Sequence, residues 1–93
     1  MDDPYNLARF VTFDANASNL PGGDGTTIQI YVSDMQGGRT RLLSRAANGD
    51  PADANCDNPS LSLDGRFAAF VSEANNLGGD PNYSNVFRAG RIR

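Results

Sequence analysis

Apolar and polar positions along this chain group into short stretches separated by Gly, Asn, Asp and Pro, and none of the stretches sustains a helical period. Leu7 to Phe13 and Arg66 to Val71 are rich in aromatic and small or β-branched residues and too short for helices, so they are predicted to be strands. Their apolar character is nearly continuous, the pattern of strands covered on both faces rather than of a half-exposed hairpin. Thr27 to Val32 is a further strand, with Ile28, Ile30 and Val32 on one face. Asp34 to Gly38 supplies a turn, and Arg39 to Ser44 returns as an edge-like strand with charged outward positions. Ala46 to Pro59, dominated by Asn, Asp, Ala and Gly, reads as a loop between sheets. Pro59 to Leu63 alternates polar and apolar residues before Asp64-Gly65, a tight-turn dipeptide, and the Arg66 strand follows. The expected fold class is all-β.

Two of these stretches are copies. Arg9-Phe10-Val11-Thr12-Phe13 and Ala17-Ser18-Asn19-Leu20 recur as Arg66-Phe67-Ala68-Ala69-Phe70 and Ala74-Asn75-Asn76-Leu77 at an offset of 57, and Gly23-Asp24 and Ile30-Tyr31 recur as Gly79-Asp80 and Val86-Phe87 at an offset of 56. A period on this scale is the signature of stacked supersecondary units, each unable to bury its apolar face alone. The 93 residues hold fewer than two such units.

The run from Pro59 through Asp64-Gly65-Arg66-Phe67 to Ser72, followed by Ala74-Asn75-Asn76-Leu77, resembles the WD-repeat-like blade of TolB-type β-propellers, and a degenerate form of it recurs in the first copy. The resemblance implies four-stranded antiparallel blades, with strands A to D running outward from a central channel. Carried over, residues 1–45 form a first blade with strands B, C and D, and 46–58 form an inter-blade loop. Residues 59–93 form a second blade with strands A, B and C, in which Pro59 to Leu63 is A, Arg66 to Val71 is B and Asn85 to Arg88 is C. Two departures stand out. Asp3-Pro4-Tyr5-Asn6 makes a poor inner strand for the first blade. Gly90-Arg91-Ile92-Arg93 echoes Gly38-Arg39-Thr40-Arg41 after a deletion, which abbreviates strand D of the second. Because a propeller closes about four to eight blades, such a chain is expected to complete its blades by homo-oligomerisation into a ring, a trimer of about six blades being the simplest count.

Composition narrows the chemistry. All eight basic residues are arginine and the net charge is −3, which argues against a nucleic-acid partner. The arginines group as Arg39, Arg41, Arg45 and as Arg88, Arg91, Arg93, and strand alternation accounts for Arg39 and Arg41 as one solvated face. No apolar run reaches the roughly 18 residues of a membrane helix, and the acidic start Met1-Asp2-Asp3-Pro4 is unlike a signal peptide. Localisation stays open, although proteins of the resembled kind are often periplasmic or at the cell surface. Cys56 is the single cysteine, so no internal disulfide forms, and it reads as a filler or loop thiol.

Catalytic groups are scarce. The chain has no histidine or lysine, one glutamate at Glu73 and no Gly-x-Ser-x-Gly, so the usual bases and nucleophile pairs are not assembled. Asp14, Asp24, Asp64 and Asp80 fall in turns or at strand ends, where aspartate caps local backbone. The family resemblance adds one cation site, a calcium loop at Asp80-Pro81-Asn82-Tyr83-Ser84-Asn85, with Asp80, Asn82 and Asn85 as ligands and Asn85 replacing the last acid. Calcium takes about six to eight oxygens, so this set binds weakly unless carbonyls and water complete it. The expected function is a noncatalytic, self-assembling module that binds a protein, glycan or small ligand. The alternative is a fragment or accessory propeller of a hydrolase or peptidase, whose catalytic domain these residues do not contain.

Overall fold

The computed structural model describes residues 9–62, 65–78, 85–90 and 92. Among them are six strands and no helix: β1 (Phe10–Ala15), β2 (Gln29–Asp34), β3 (Arg39–Leu42), β4 (Cys56–Leu61), β5 (Phe67–Ser72) and β6 (Asn85–Gly90). They form two antiparallel three-stranded sheets of order β1-β2-β3 and β4-β5-β6. The all-β expectation holds. Of the four strands of a full blade three were expected in each unit, and the described residues supply three to each sheet. The stretch read as a poor inner strand lies within residues 1–8, outside those described.

Strand positions follow the predicted pattern with small shifts. Gly90 belongs to β6, opposite Phe67, and is not the start of an outer strand. A Cβ at this position would lie 2.3 Å from Phe67 Cδ1 and 3.3 Å from the Arg66 carbonyl oxygen, so only glycine lets the Phe67 ring cross the strand here. β4 begins at Cys56 rather than at Pro59. Its early start has a tertiary cause: Cys56 N donates to Ile28 O at 2.8 Å, and Asn55 Oδ1 accepts from Ile28 N at 2.8 Å, which fastens this end of β4 to the other sheet. Pro59 is accommodated by a register shift between Asp57 and Ser60, beside Asn58 at a φ of 53°.

Register in the two sheets is related by the sequence offsets. β1 pairs with β2 from Phe10↔Asp34 to Ala15↔Gln29, and β5 pairs with β6 from Phe67↔Gly90 to Ser72↔Asn85. Adding 57 to the β1 numbers and 56 to the β2 numbers converts the first set into the second. Past the strands the acceptors still correspond but the donors slip by one residue: Met35 N donates to Arg9 O at 2.6 Å and Ile92 N to Arg66 O at 2.7 Å.

The sheets pack face to face through two apolar clusters. One gathers Ile30, Ala52, Cys56, Phe70 and Ala74, with Leu77 and Phe87 against it; the other gathers Phe10, Val32, Ala68 and Ile92. Between them the segment joining β3 to β4 is held by polar groups. Ser44 Oγ donates to Gln29 Oε1 at 2.6 Å and accepts from Ile30 N at 2.8 Å, while Gln29 Nε2 donates to Ala52 O at 2.9 Å. Gln29 and Ser44 are both buried, so each bond satisfies a group that would otherwise be stranded away from water. From the other sheet, Asn76 Nδ2 donates to Pro51 O at 2.8 Å and its Oδ1 accepts from Asp53 N at 3.1 Å. Asn76 is thus a clamp between the β5–β6 loop and the connecting segment.

Ser44→Ala leaves Gln29 Oε1 and Ile30 N buried without this partner, and a loss of about 1–3 kcal/mol is expected, read as a lower urea midpoint at unchanged slope. Gly90→Ala forces Phe67 out of place and is expected to cost roughly 1–3 kcal/mol in the same measurement.

Candidate functional site

The calcium loop falls mostly outside the described residues: Asp80 and Asn82 are not among them, and Asn85 is the first residue of β6, opposite Ser72. Among the described residues no group of three or more His, Cys, Asp or Glu side chains could hold a metal. The counterpart of Asp80 in the first copy is Asp24, and its role is plain. Asp24 Oδ1 accepts from Thr26 N at 2.9 Å and Thr27 N at 2.7 Å, and Oδ2 accepts from Thr27 Oγ1 at 2.9 Å. Both carboxylate oxygens are thus engaged in an Asx-type turn that leads into β2. The bonds from the Thr27 and then the Thr26 backbone hold this carboxyl well below the usual carboxylate range.

Asp34 plays the same part at the next turn. Its Oδ1 accepts from Gln36 N at 3.0 Å and Gly37 N at 3.2 Å, and Arg9 Nε lies 3.5 Å away. The Gly37 bond is the largest cause of a lowered Asp34 pKa, while burial opposes it. Cys56 is buried, with Sγ 3.7 Å from Ala54 O, and burial pushes its thiol up, away from the thiolate that reactivity requires.

A groove of about 940 Å³ opens between β3, the turn after Arg45 and β6. Arg41, Arg45 and Arg88 line it together with Leu43, Phe70 and Phe87. One member of this set is partly committed, since Arg41 Nη2 donates to Ile92 O at 2.7 Å. The sequence splits these arginines between two separate clusters, and only the stacking of the sheets brings members of both to one groove. The Arg88 guanidinium itself lies over the Phe67 ring, on the face of β6 opposite Phe87, so the cationic character of the groove rests on Arg41 and Arg45, which beside apolar and aromatic surface suit an anionic or extended ligand. Arg39 lies outside the groove lining, whereas Arg91 and Arg93 are not among the described residues. No helix among the described residues is long and apolar enough to cross a membrane.

Comparisons with protein-family models, with curated proteins and with solved structures found no match. The functional reading therefore rests on this chain's own residues and geometry.

The lowered carboxyls set a pH dependence with a definite sign. A carboxylate whose folded pKa lies below its unfolded value, about 3.9 for Asp, stabilises the fold above that value and loses the contribution as pH falls through the folded pKa. Stability is accordingly expected to be level in the region just above the unfolded value and to decline on acidification below about pH 4. Asp24→Asn keeps Oδ1 as an acceptor but removes the titration, so urea melts at several pH values are expected to show a shallower acid decline in that variant.

Proposed function

We propose that the chain is a noncatalytic β-propeller module whose two sheets are successive blades, and that copies associate into a ring that serves as a binding scaffold. One observation carries this reading: the β1–β2 and β5–β6 pairs share one register under the sequence offsets. Blade-like units built from one repeat are expected to coincide in this way, whereas two unrelated hairpins would have no reason to. Face-to-face stacking of the sheets through apolar clusters supports the same reading. In blade terms β1, β2 and β3 take the places of strands B, C and D, and β4, β5 and β6 those of A, B and C.

Repeat units of this kind generally need about three neighbours to bury a continuous core, which two three-stranded sheets do not supply by themselves. Association of copies provides the neighbours, and three chains give about six blades, within the usual range of rings. The scaffold role follows from the scarcity of catalytic side chains, and the arginine-lined groove is the surface it offers to a protein, glycan or small anionic ligand.

Light scattering coupled to size exclusion, with and without calcium, tests the reading. A discrete particle of several 9.9 kDa chains is expected. A well-folded single chain at every concentration would overturn the assembly, and hydrolytic turnover abolished by changing one Asp would overturn the noncatalytic assignment.

A further inference from the structure

The shared register makes each residue of one sheet comparable with a counterpart in the other, and the counterparts differ sharply in burial. β2 places Ile30 and Val32 on one face, together with Phe10 of β1; these are 0%, 1% and 9% exposed because the second sheet covers them. Their counterparts are Val86, Arg88 and Phe67. Val86 is 75% exposed, Arg88 is exposed and Phe67 is half-buried. The second sheet therefore carries the same face as the first, with nothing among the described residues against it.

The opposite faces show the converse. Ala68 and Phe70 of β5 are 2% and 3% exposed because they receive the first sheet. Their counterparts in β1 are Val11, 41% exposed, and Phe13, half-buried and stacked on Tyr31 with ring centroids 5.6 Å apart. Tyr31 lies on this same side of its sheet but is itself 0% exposed, and Gln29 beside it 2%, so the β2 half of this face is already covered and Val11 and Phe13 on β1 are the part left open; the Tyr31 hydroxyl is buried with no hydrogen-bond partner among the described residues. One molecule thus presents a donor face at one end and a receiving face at the other, each the counterpart of a face buried at its internal interface.

We infer that a second copy of the chain docks head to tail here, the Phe67, Val86 and Arg88 face of one copy packing on the Val11 and Phe13 face of the next. The inference rests on the propeller reading above and goes further by fixing which surfaces meet and in which polarity. The internal interface is its template: Ile30 in the cluster of Phe70 becomes Val86 against Phe13 of the next copy, and Val32 in the cluster of Ala68 becomes Arg88 against Val11. Arg88 suits a rim position. Its guanidinium already lies 4.7 Å over the Phe67 ring, so its stem covers apolar surface while its charge stays toward water. Such a contact is heterologous, since the two surfaces differ, and repeating it either closes a ring or grows a filament.

Heterologous polarity gives a test that no same-patch dimer would pass. Val86→Glu spoils the donor face and Val11→Glu the receiving face, and both side chains are substantially exposed in the single chain. At a concentration where the unaltered chain assembles, each variant alone is expected to fall to the 9.9 kDa of one chain by light scattering. An equimolar mixture is expected to recover a particle of twice that mass and no larger, because one good donor face meets one good receiving face. Circular dichroism of each variant checks the fold, and Val86→Thr with Val11→Thr, which keep the β-branched shape, replace the pair if a glutamate variant unfolds. Variants that still assemble like the unaltered chain would overturn this interface while leaving self-assembly standing. Variants that stay single even when mixed would overturn its polarity. An unaltered chain that never assembles would overturn the propeller reading and this interface together.

Discussion

The segment between β3 and β4 is the constraint on which the rest of this fold depends. Two three-stranded sheets of this size bury too little apolar surface to persist separately, so their stacking has to be held in one geometry. Gln29, Ser44 and the Ala52 carbonyl do this from the first sheet by buried hydrogen bonds, and Asn76 does it from the second. A buried polar group without its partner is costly, whereas an apolar contact tolerates sliding. The polar bonds therefore select one packing among the many that hydrophobic burial alone would accept. Ile30 lies where the two effects meet: its backbone is fixed by Ser44 and its side chain fills the cluster around Phe70.

Equivalent register positions in the two sheets do not have equivalent exposure. Ile30 and Val86 hold equivalent register positions yet lie at opposite extremes of exposure, because one has a neighbouring sheet and the other does not. The substitutions between the copies follow that difference. Val32, packed against Ala68 and Phe10, corresponds to Arg88, which lies over its own Phe67 ring in the open. Asp34, which caps a turn and meets Arg9, corresponds to Gly90, whose missing side chain makes room for Phe67. The two sheets thus share a backbone pairing while their faces differ with what covers them.

Much of the fold was legible in the chain. Short apolar runs bounded by turn residues located the strands to within a few residues, and the two registers turn out to be related by the same offsets, 57 and 56, as the copied stretches. The start of β4 was not legible. Cys56 carries no strand signal of its own, and its end of β4 is fixed by Ile28, the residue before β2, whose carbonyl accepts from Cys56 N while its N–H donates to Asn55 Oδ1. The candidate site was less legible still. Asp24 was readable as a turn residue from Asp-Gly-Thr-Thr, since that hydrogen bonding is local. The groove shared by Arg41, Arg45 and Arg88 has no local signature, and alternation alone assigned Arg39 and Arg41 to solvent.

The sequence by itself determined the β class, the turns and the approximate extent of the strands, because those depend on residues near one another and on a side-chain period of two. Only the tertiary structure decided which face of each sheet is covered, how the connecting segment is fastened, and which arginines share a groove. Those outcomes depend on contacts between residues far apart in the chain, and no local pattern encodes a burial that arises only when one sheet is laid on another.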